Sequence, residues 1–231
     1  MTSVAGDGLK EIRAWVFDAY GTVFDYASAA TRCTGILGND AARLTERWRQ
    51  KQLQYAWLRT LQGDYADFWQ VTGDALDFAM ASLGIHNDEL RERLMQLYLT
   101  LEPFPEVASV LSVLKTANFT TAILSNGSRE MLAAVVENAG IAQLLDNVLS
   151  VDEVRAYKTH PSVYRLAVER LGVPAHAIAF VSSNAWDAYA ASAFGMRVLW
   201  CNRYGDHPEK LPGNPDLIIR SLSEIPDLIK T

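Results

Sequence analysis

The run Ile12-Arg13-Ala14-Trp15-Val16-Phe17-Asp18-Ala19-Tyr20-Gly21-Thr22 decides the fold. Its first six residues are mostly apolar and β-prone, and they stop at an acidic residue followed by a glycine that permits a turn. A buried strand therefore runs into a polar loop. The pattern returns downstream: Phe119 to Leu124 reads as a strand ending at Ser125-Asn126-Gly127, Asn147 to Ser150 as a short one, and Ala177 to Val181 as a strand ending at Ser182-Ser183-Asn184. Arg197 to Cys201 and Leu217 to Ile219 complete the set. Helices separate these strands: one after Pro105 with Val107, Val110, Leu111 and Leu114 on one face, Arg129 to Asn138 stopped near Gly140, Pro161 to Leu171, and one reaching Phe194. Strands alternating with helices imply a doubly wound α/β fold, a parallel sheet with right-handed crossovers that binds ligands beyond the carboxyl ends of its strands. The clusters Asp18 to Thr22, Ser125-Asn126 and Ser182 to Asp187 each follow a strand directly, so the topology alone gathers them at one edge.

From about Tyr26 to Pro103 the rhythm changes. Trp48, Leu53, Tyr55 to Leu58 and Leu61 alternate with Arg, Gln and Lys at helical spacing, and Asp74 to Leu83 repeats this. The expected division is a core domain of residues 9–25 and 104–231 and an inserted helical cap of residues 26–103, placed to cover the sheet edge.

With 231 residues, 49% of them hydrophobic and 21% charged, the chain has enough apolar material for one domain with such an insertion, which excludes disorder. A net charge of -6 gives no general attraction to polyanions, so neither nucleic acid nor membrane is an expected partner. Cys33 and Cys201 lie far apart and outside any CxxC pattern, which indicates neither a zinc site nor a disulfide framework. The segment Met1 to Lys10 lacks the basic-then-apolar order of a signal peptide, and a cytoplasmic location is expected.

The motifs Phe17-Asp18-Ala19-Tyr20-Gly21-Thr22, Ser125-Asn126-Gly127, Lys158 and Ser182-Ser183-Asn184-Ala185-Trp186-Asp187 occur in an order that resembles the haloacid dehalogenase superfamily. Tyr20, two residues after the aspartate, and Trp48-Arg49-Gln50-Lys51-Gln52-Leu53 narrow the resemblance to the (S)-2-haloacid dehalogenases. It spans sheet and insertion alike. It implies a Rossmann-like core with a helical cap, a homodimer, no cofactor and no metal, and a small 2-haloacid, water and halide as partners.

Phosphatases of this superfamily place a second aspartate two residues after the first as general acid, and further carboxylates to hold magnesium. Here Tyr20 takes the first of these positions, and a phenol with a pKa near 10 is a poor replacement for a tuned carboxylic acid. Ser183 stands where such phosphatases commonly carry an aspartate, which removes a hard oxygen ligand while Lys158 adds a cation. A magnesium-dependent phosphatase is therefore the weaker alternative.

The resemblance implies that Asp18 attacks the halogen-bearing carbon, displaces halide and forms an aspartyl ester, which water hydrolyses to a 2-hydroxy acid inverted at its α carbon. Arg49 would accept the departing halide, with Asn126 and Trp186 completing its cradle. Ser125 and backbone N–H groups around Tyr20 and Asn126 would hold the substrate carboxylate. Lys158, with Tyr164 and Asp187, would keep Asp18 ionised and oriented, and Thr22 and Ser182 would support it. Asp187 and Asn184 are alternative positioners of the hydrolytic water. Gln50, Leu53, Phe68 and Trp186 would wall the pocket around the alkyl group. Haloacetates, fluoroacetate among them, belong to the same substrate class, with the halogen preference left open.

Overall fold

Six parallel strands form one sheet in the computed structural model, which describes residues 11–230: β1 (Ala14–Phe17), β2 (Thr120–Ser125), β3 (Asn147–Ser150), β4 (Ile178–Ser182), β5 (Arg197–Cys201) and β6 (Leu217–Ile219), in the order β3-β2-β1-β4-β5-β6. The leader reading of Met1 to Lys10, residues 9 and 10 of the expected core, and Thr231 lie outside the described residues. Every residue of β1 is buried, as in a parallel sheet covered on both faces. Phe17 pairs with Ile123 on one side and Val181 on the other, so the ends of β1, β2 and β4 stand side by side.

Two strands run one residue further than the apolar pattern suggested. Ser125 pairs with Ser150 and Ser182 with Trp200, because ladder pairing continues as long as a neighbouring backbone is present, whatever the side chain. At the other end Ile12, Arg13, Phe119 and Ala177 precede their strands, and Ala177 closes a single 3-10 turn.

Between β1 and β2 the chain forms α1 (Ser28–Thr31), α2 (Thr34–Leu37), α3 (Asp40–Gln62), α4 (Phe68–Ser82) and α5 (Asp88–Tyr98). The α3 helix ends at Gly63, whose left-handed conformation (φ of 69°) returns its N–H to the carbonyls of Arg59 and Thr60. The α4 helix starts at Phe68, well before the expected Asp74, because the Asp67 carboxylate caps it by accepting the Gln70 N–H. Leu44, Trp48 and Ala56 of α3 are buried, as are Leu76 and Ala79 of α4. The Trp48 indole N–H ties the two helices by donating to the Thr72 carbonyl at 2.8 Å.

The entry and exit of this helical segment lie together, with Asp25 N–H donating to Glu102 O at 2.8 Å and Phe104 N–H to Val23 O at 2.9 Å. Its far end also touches the sheet region: Tyr157 N–H donates to Thr60 Oγ1 at 3.0 Å, the Tyr157 hydroxyl to Ala66 O at 2.6 Å, and the Tyr65 hydroxyl to Asp152. The crossover helices are α6 (Val107–Thr116), α7 (Arg129–Asn138), α8 (Pro161–Leu171) and α9 (Ala185–Phe194). Among the described residues no helix is long and apolar enough to cross a membrane.

Candidate active site

Asp18 leaves the end of β1 at the centre of the sheet edge and is 5% exposed. Lys158, 1% exposed, reaches it from the loop before α8. Its ammonium lies 2.8 Å from Asp18 Oδ1 and 2.7 Å from Asp187 Oδ2, and Asp187 sits in the first turn of α9. Burial works against the charge of Lys158, but Asp18 and Asp187 outweigh it and hold its pKa above the ordinary lysine value. Burial pushes the Asp187 carboxyl upward, against the pull of Lys158. The Tyr164 hydroxyl, itself pushed up by burial, donates to Asp187 Oδ1 at 2.8 Å.

The other oxygen of Asp18 is held from two directions. Thr22 Oγ1 donates to Oδ2 at 3.0 Å, and Asn184 Nδ2 donates at 2.8 Å. Thr22 Oγ1 also accepts the Ser183 N–H at 2.8 Å, so its single proton is directed to Asp18. Lys158, Thr22 and Asn184 together occupy three of the roughly four acceptor positions of the carboxylate, which leaves one lone pair for a reacting carbon. Ser182 Oγ accepts the Asn184 N–H at 3.2 Å and so shapes the turn from which Asn184 projects.

Asn184 also joins the two halves of the site. Its Nδ2 spans Asp18 Oδ2 and the Tyr20 carbonyl (3.1 Å), while its Oδ1 accepts from Arg49 Nη2 at 3.2 Å. Arg49 lies on α3, with its guanidinium 4.9 Å from the centre of the Tyr26 ring. On the β2 side, Asn126 Oδ1 accepts the Lys158 N–H at 2.9 Å, which fixes the amide so that its NH₂ faces away from that bond. Ser125 Oγ accepts the Gly127 N–H at 3.0 Å. Gly127 is required by close approach, since a Cβ there would stand 2.9 Å from the Tyr20 ring.

Tyr20 is 2% exposed, with its ring 5.8 Å from Phe68 and 5.3 Å from Tyr98. Its hydroxyl is buried, has no partner among the described residues, and is kept protonated by that burial. Such a donor is available to a ligand. The four residues expected to wall one pocket are spread out. Gln50 and Leu53 line a groove of about 810 Å³ together with Tyr26, Arg49 and Tyr204. Trp186, in edge contact with Trp57, lines a second groove of about 840 Å³ that Lys158 and Tyr164 also border. Phe68 is fully buried between Tyr20 and Tyr157.

Sequence reasoning did not single out Gln52, Thr72, Tyr98 or Tyr26, although Gln52 falls inside a stretch it quoted. The usable signal was the spacing of Arg49 and Gln52, which puts both on one face of a helix, and Arg49 Nη1 does donate to Gln52 Oε1 at 2.9 Å. His160 caps α8 by accepting the Ser162 N–H on Nδ1 at 3.3 Å.

A family model described as haloacid dehalogenase-like hydrolase matches residues 12–195. The chain is 45% identical to (S)-2-haloacid dehalogenase 1 of Pseudomonas sp. (strain CBS-3), over 96% of this chain and 98% of that protein. It is 41% identical to haloacetate dehalogenase H-2 of Moraxella sp. (strain B), over 96% and 99%. It superposes with a TM-score of 0.89 on the L-2-haloacid dehalogenase of Xanthobacter autotrophicus solved with chloropropionic acid covalently bound, at 38% identity over 95% of this chain and 98% of that one. An aspartate at the sheet edge, paired with a buried lysine and linked through Asn184 to an arginine of the inserted helices, agrees with these relationships, and the chain belongs to the haloacid dehalogenase-like hydrolases, within the (S)-2-haloacid dehalogenases.

Proposed function

We propose that this chain hydrolyses short (S)-2-haloalkanoic acids, haloacetates included, to 2-hydroxy acids through an ester on Asp18, with inversion at the α carbon. The observation that carries this reading is the Lys158 ammonium within 2.8 Å of Asp18 and 2.7 Å of Asp187. The free lone pair of Asp18 attacks the α carbon from the side opposite the halogen, and the carbon–halogen bond breaks with its electron pair leaving on the halide. Arg49 stabilises that anion, assisted by Asn126 and Trp186. Ser125, the Tyr20 hydroxyl and nearby backbone N–H groups hold the substrate carboxylate. Water, positioned by Asp187 or Asn184, then adds to the Asp18 carbonyl carbon and the acyl carbon–oxygen bond to the product breaks; one of the water's protons passes to the departing oxygen to give the 2-hydroxy acid, the other is released, and Asp18 is restored as a carboxylate, so the α carbon is inverted once only. Thr22, Ser182 and Tyr164 keep the carboxylates in place. Gln50 and Leu53 in one groove and Trp186 in the other shape access for the alkyl group, with Phe68 packed behind the Tyr20 ring.

A divalent cation does not fit this donor set. The place between the two carboxylates holds an ammonium, and Tyr20 and Ser183 supply no carboxylate to replace what it occupies. A magnesium-dependent phosphatase is not favoured for the same reason.

The division into a core of residues 9–25 and 104–231 and a cap of residues 26–103 is part of this reading, supported by the paired backbone bonds at the junction. So is a homodimer, supported by the exposed Leu58, Leu61 and Phe78 on the cap helices, for sedimentation equilibrium to test. A cytoplasmic location accords with two unpaired, buried cysteines.

The test is halide release from (S)- and (R)-2-chloropropionate, chloroacetate and fluoroacetate with EDTA present, beside p-nitrophenyl phosphate with magnesium. The expected result is EDTA-resistant release from the (S) isomer that is lost in Asp18→Asn. Magnesium-dependent phosphate release with no halide would replace this reading with the phosphatase.

A further inference from the structure

We infer that Gln52 is a positioning residue: a neutral amide that orients the Arg49 guanidinium toward the leaving halide without neutralising its charge. The inference rests on the dehalogenase reading above and extends it into the interior of the cap. Gln52 is 1% exposed, an unusual place for a polar side chain on a helix whose neighbours Lys51 and Gln54 face solvent. Its amide is fixed at both ends. A guanidinium only donates, so Oε1 must face Arg49, where it accepts from Nη1 at 2.9 Å. Nε2 donates to Thr72 Oγ1 at 2.7 Å and to the Tyr98 hydroxyl at 3.1 Å. Thr72 sends its own proton to the Phe68 carbonyl at 2.5 Å, so it can only accept from Gln52. Flipping the amide would set NH₂ against the guanidinium and oxygen against an oxygen without a proton to give.

The partners of Arg49 share one property. Gln52 Oε1, Asn184 Oδ1 and the face of Tyr26 are all neutral, and among the described residues no carboxylate lies within ion-pair distance of Arg49. A buried glutamate at position 52 would still accept from Arg49, although it would lose the donor that Gln52 offers to Thr72. It would also cancel the charge on which halide departure depends, and would compete with the anion for the same donors. An amide of the same shape holds the geometry and leaves the full charge for the halide.

The test compares wild type with Gln52→Glu, Gln52→Met and Tyr98→Phe, using (S)-2-chloropropionate turnover and inhibition by added chloride. Gln52→Glu, which keeps the size of the side chain and its acceptor for Arg49 but gives up the donor to Thr72, should lower kcat by about 10- to 100-fold with KM nearly unchanged and weaken chloride inhibition by a similar factor. Gln52→Met should do the same in smaller degree. Tyr98→Phe, which removes one hydroxyl and keeps the ring, should shift both quantities by about two- to tenfold and covers the case in which a change at position 52 does not fold. In an Arg49→Met background the Gln52→Glu effect should shrink to less than about twofold, because the charge that the glutamate would neutralise is gone. A folded Gln52→Glu with chloride inhibition and kcat within twofold of wild type overturns the inference, as does an undiminished effect in the Arg49→Met background. Failure of the wild type itself to release halide removes the underlying reading instead, so the two failures are distinguishable.

Discussion

The two walls of the site are built on opposite principles. On the sheet side, Asp18, Lys158 and Asp187 are almost wholly buried, with Lys158 bound to both carboxylates; Asp18 sits at a strand end, Lys158 in the loop before α8 and Asp187 in the first turn of α9. On the helical side, Arg49 is half-buried, has only neutral partners, and borders a groove with the exposed Gln50. Buried opposite charges in contact fix the position of a nucleophile, and each depends on the others for its stability. A cation held only by neutral partners contributes modestly to the fold and keeps its full charge for an incoming anion. Stability and chemistry are therefore fused on the sheet side and separable on the helical side.

The largest effect expected is on the sheet side. Asp18→Asn should lower turnover by about 10⁴-fold or more, read as halide release under saturating substrate. Lys158→Met should abolish activity and also cost about 3 to 5 kcal/mol in denaturant unfolding, because two buried carboxylates lose their cation. Next comes the helical side: Arg49→Lys should lower kcat by about 10²- to 10³-fold while leaving unfolding within about 1 kcal/mol of wild type. If Arg49→Lys unfolds the protein as Lys158→Met does, the two walls are not separable. A pH series sharpens the contrast. The pKa of Lys158 is raised in the folded state, so its stabilisation is complete below the unfolded value of about 10.4 and is lost as pH rises through the folded value. Thermal melts should show this alkaline loss in wild type and in Arg49→Lys, and a smaller one in Lys158→Met, where the buried Tyr20 and Tyr164 hydroxyls still resist ionisation. The smallest effect belongs to Gln50→Ala, with stability within about 0.5 kcal/mol and a change confined to KM.

The same contrast governs what could be read from the chain. The sheet was legible because buried parallel strands are continuous apolar runs, and Asp18, Ser125 and Ser182 mark their ends to within a residue. Lys158 and Asp187 carry no local signal of burial; only their order among the other motifs, the basis of the family resemblance, marked them. On the helical side periodicity located α3, but a buried amide such as Gln52 and an exposed one such as Gln50 look alike in one dimension. Depth is set by what packs across, here Thr72 of α4 and Tyr98 of α5, far away in sequence. For the same reason Gln50, Leu53, Phe68 and Trp186, expected as one wall, lie around two grooves and a buried aromatic stack.

In the proposed reaction an oxygen of Asp18, and not one from water, bonds to the α carbon. A single turnover of (S)-2-chloropropionate with enzyme in excess, run in oxygen-18 water, tests this directly by mass spectrometry of the product and of the peptide containing Asp18. Attack by Asp18 predicts an unlabelled 2-hydroxy acid and one heavy oxygen in the Asp18 carboxylate. Label in the product with an unlabelled Asp18 would mean that water attacks the carbon itself, and would contradict it.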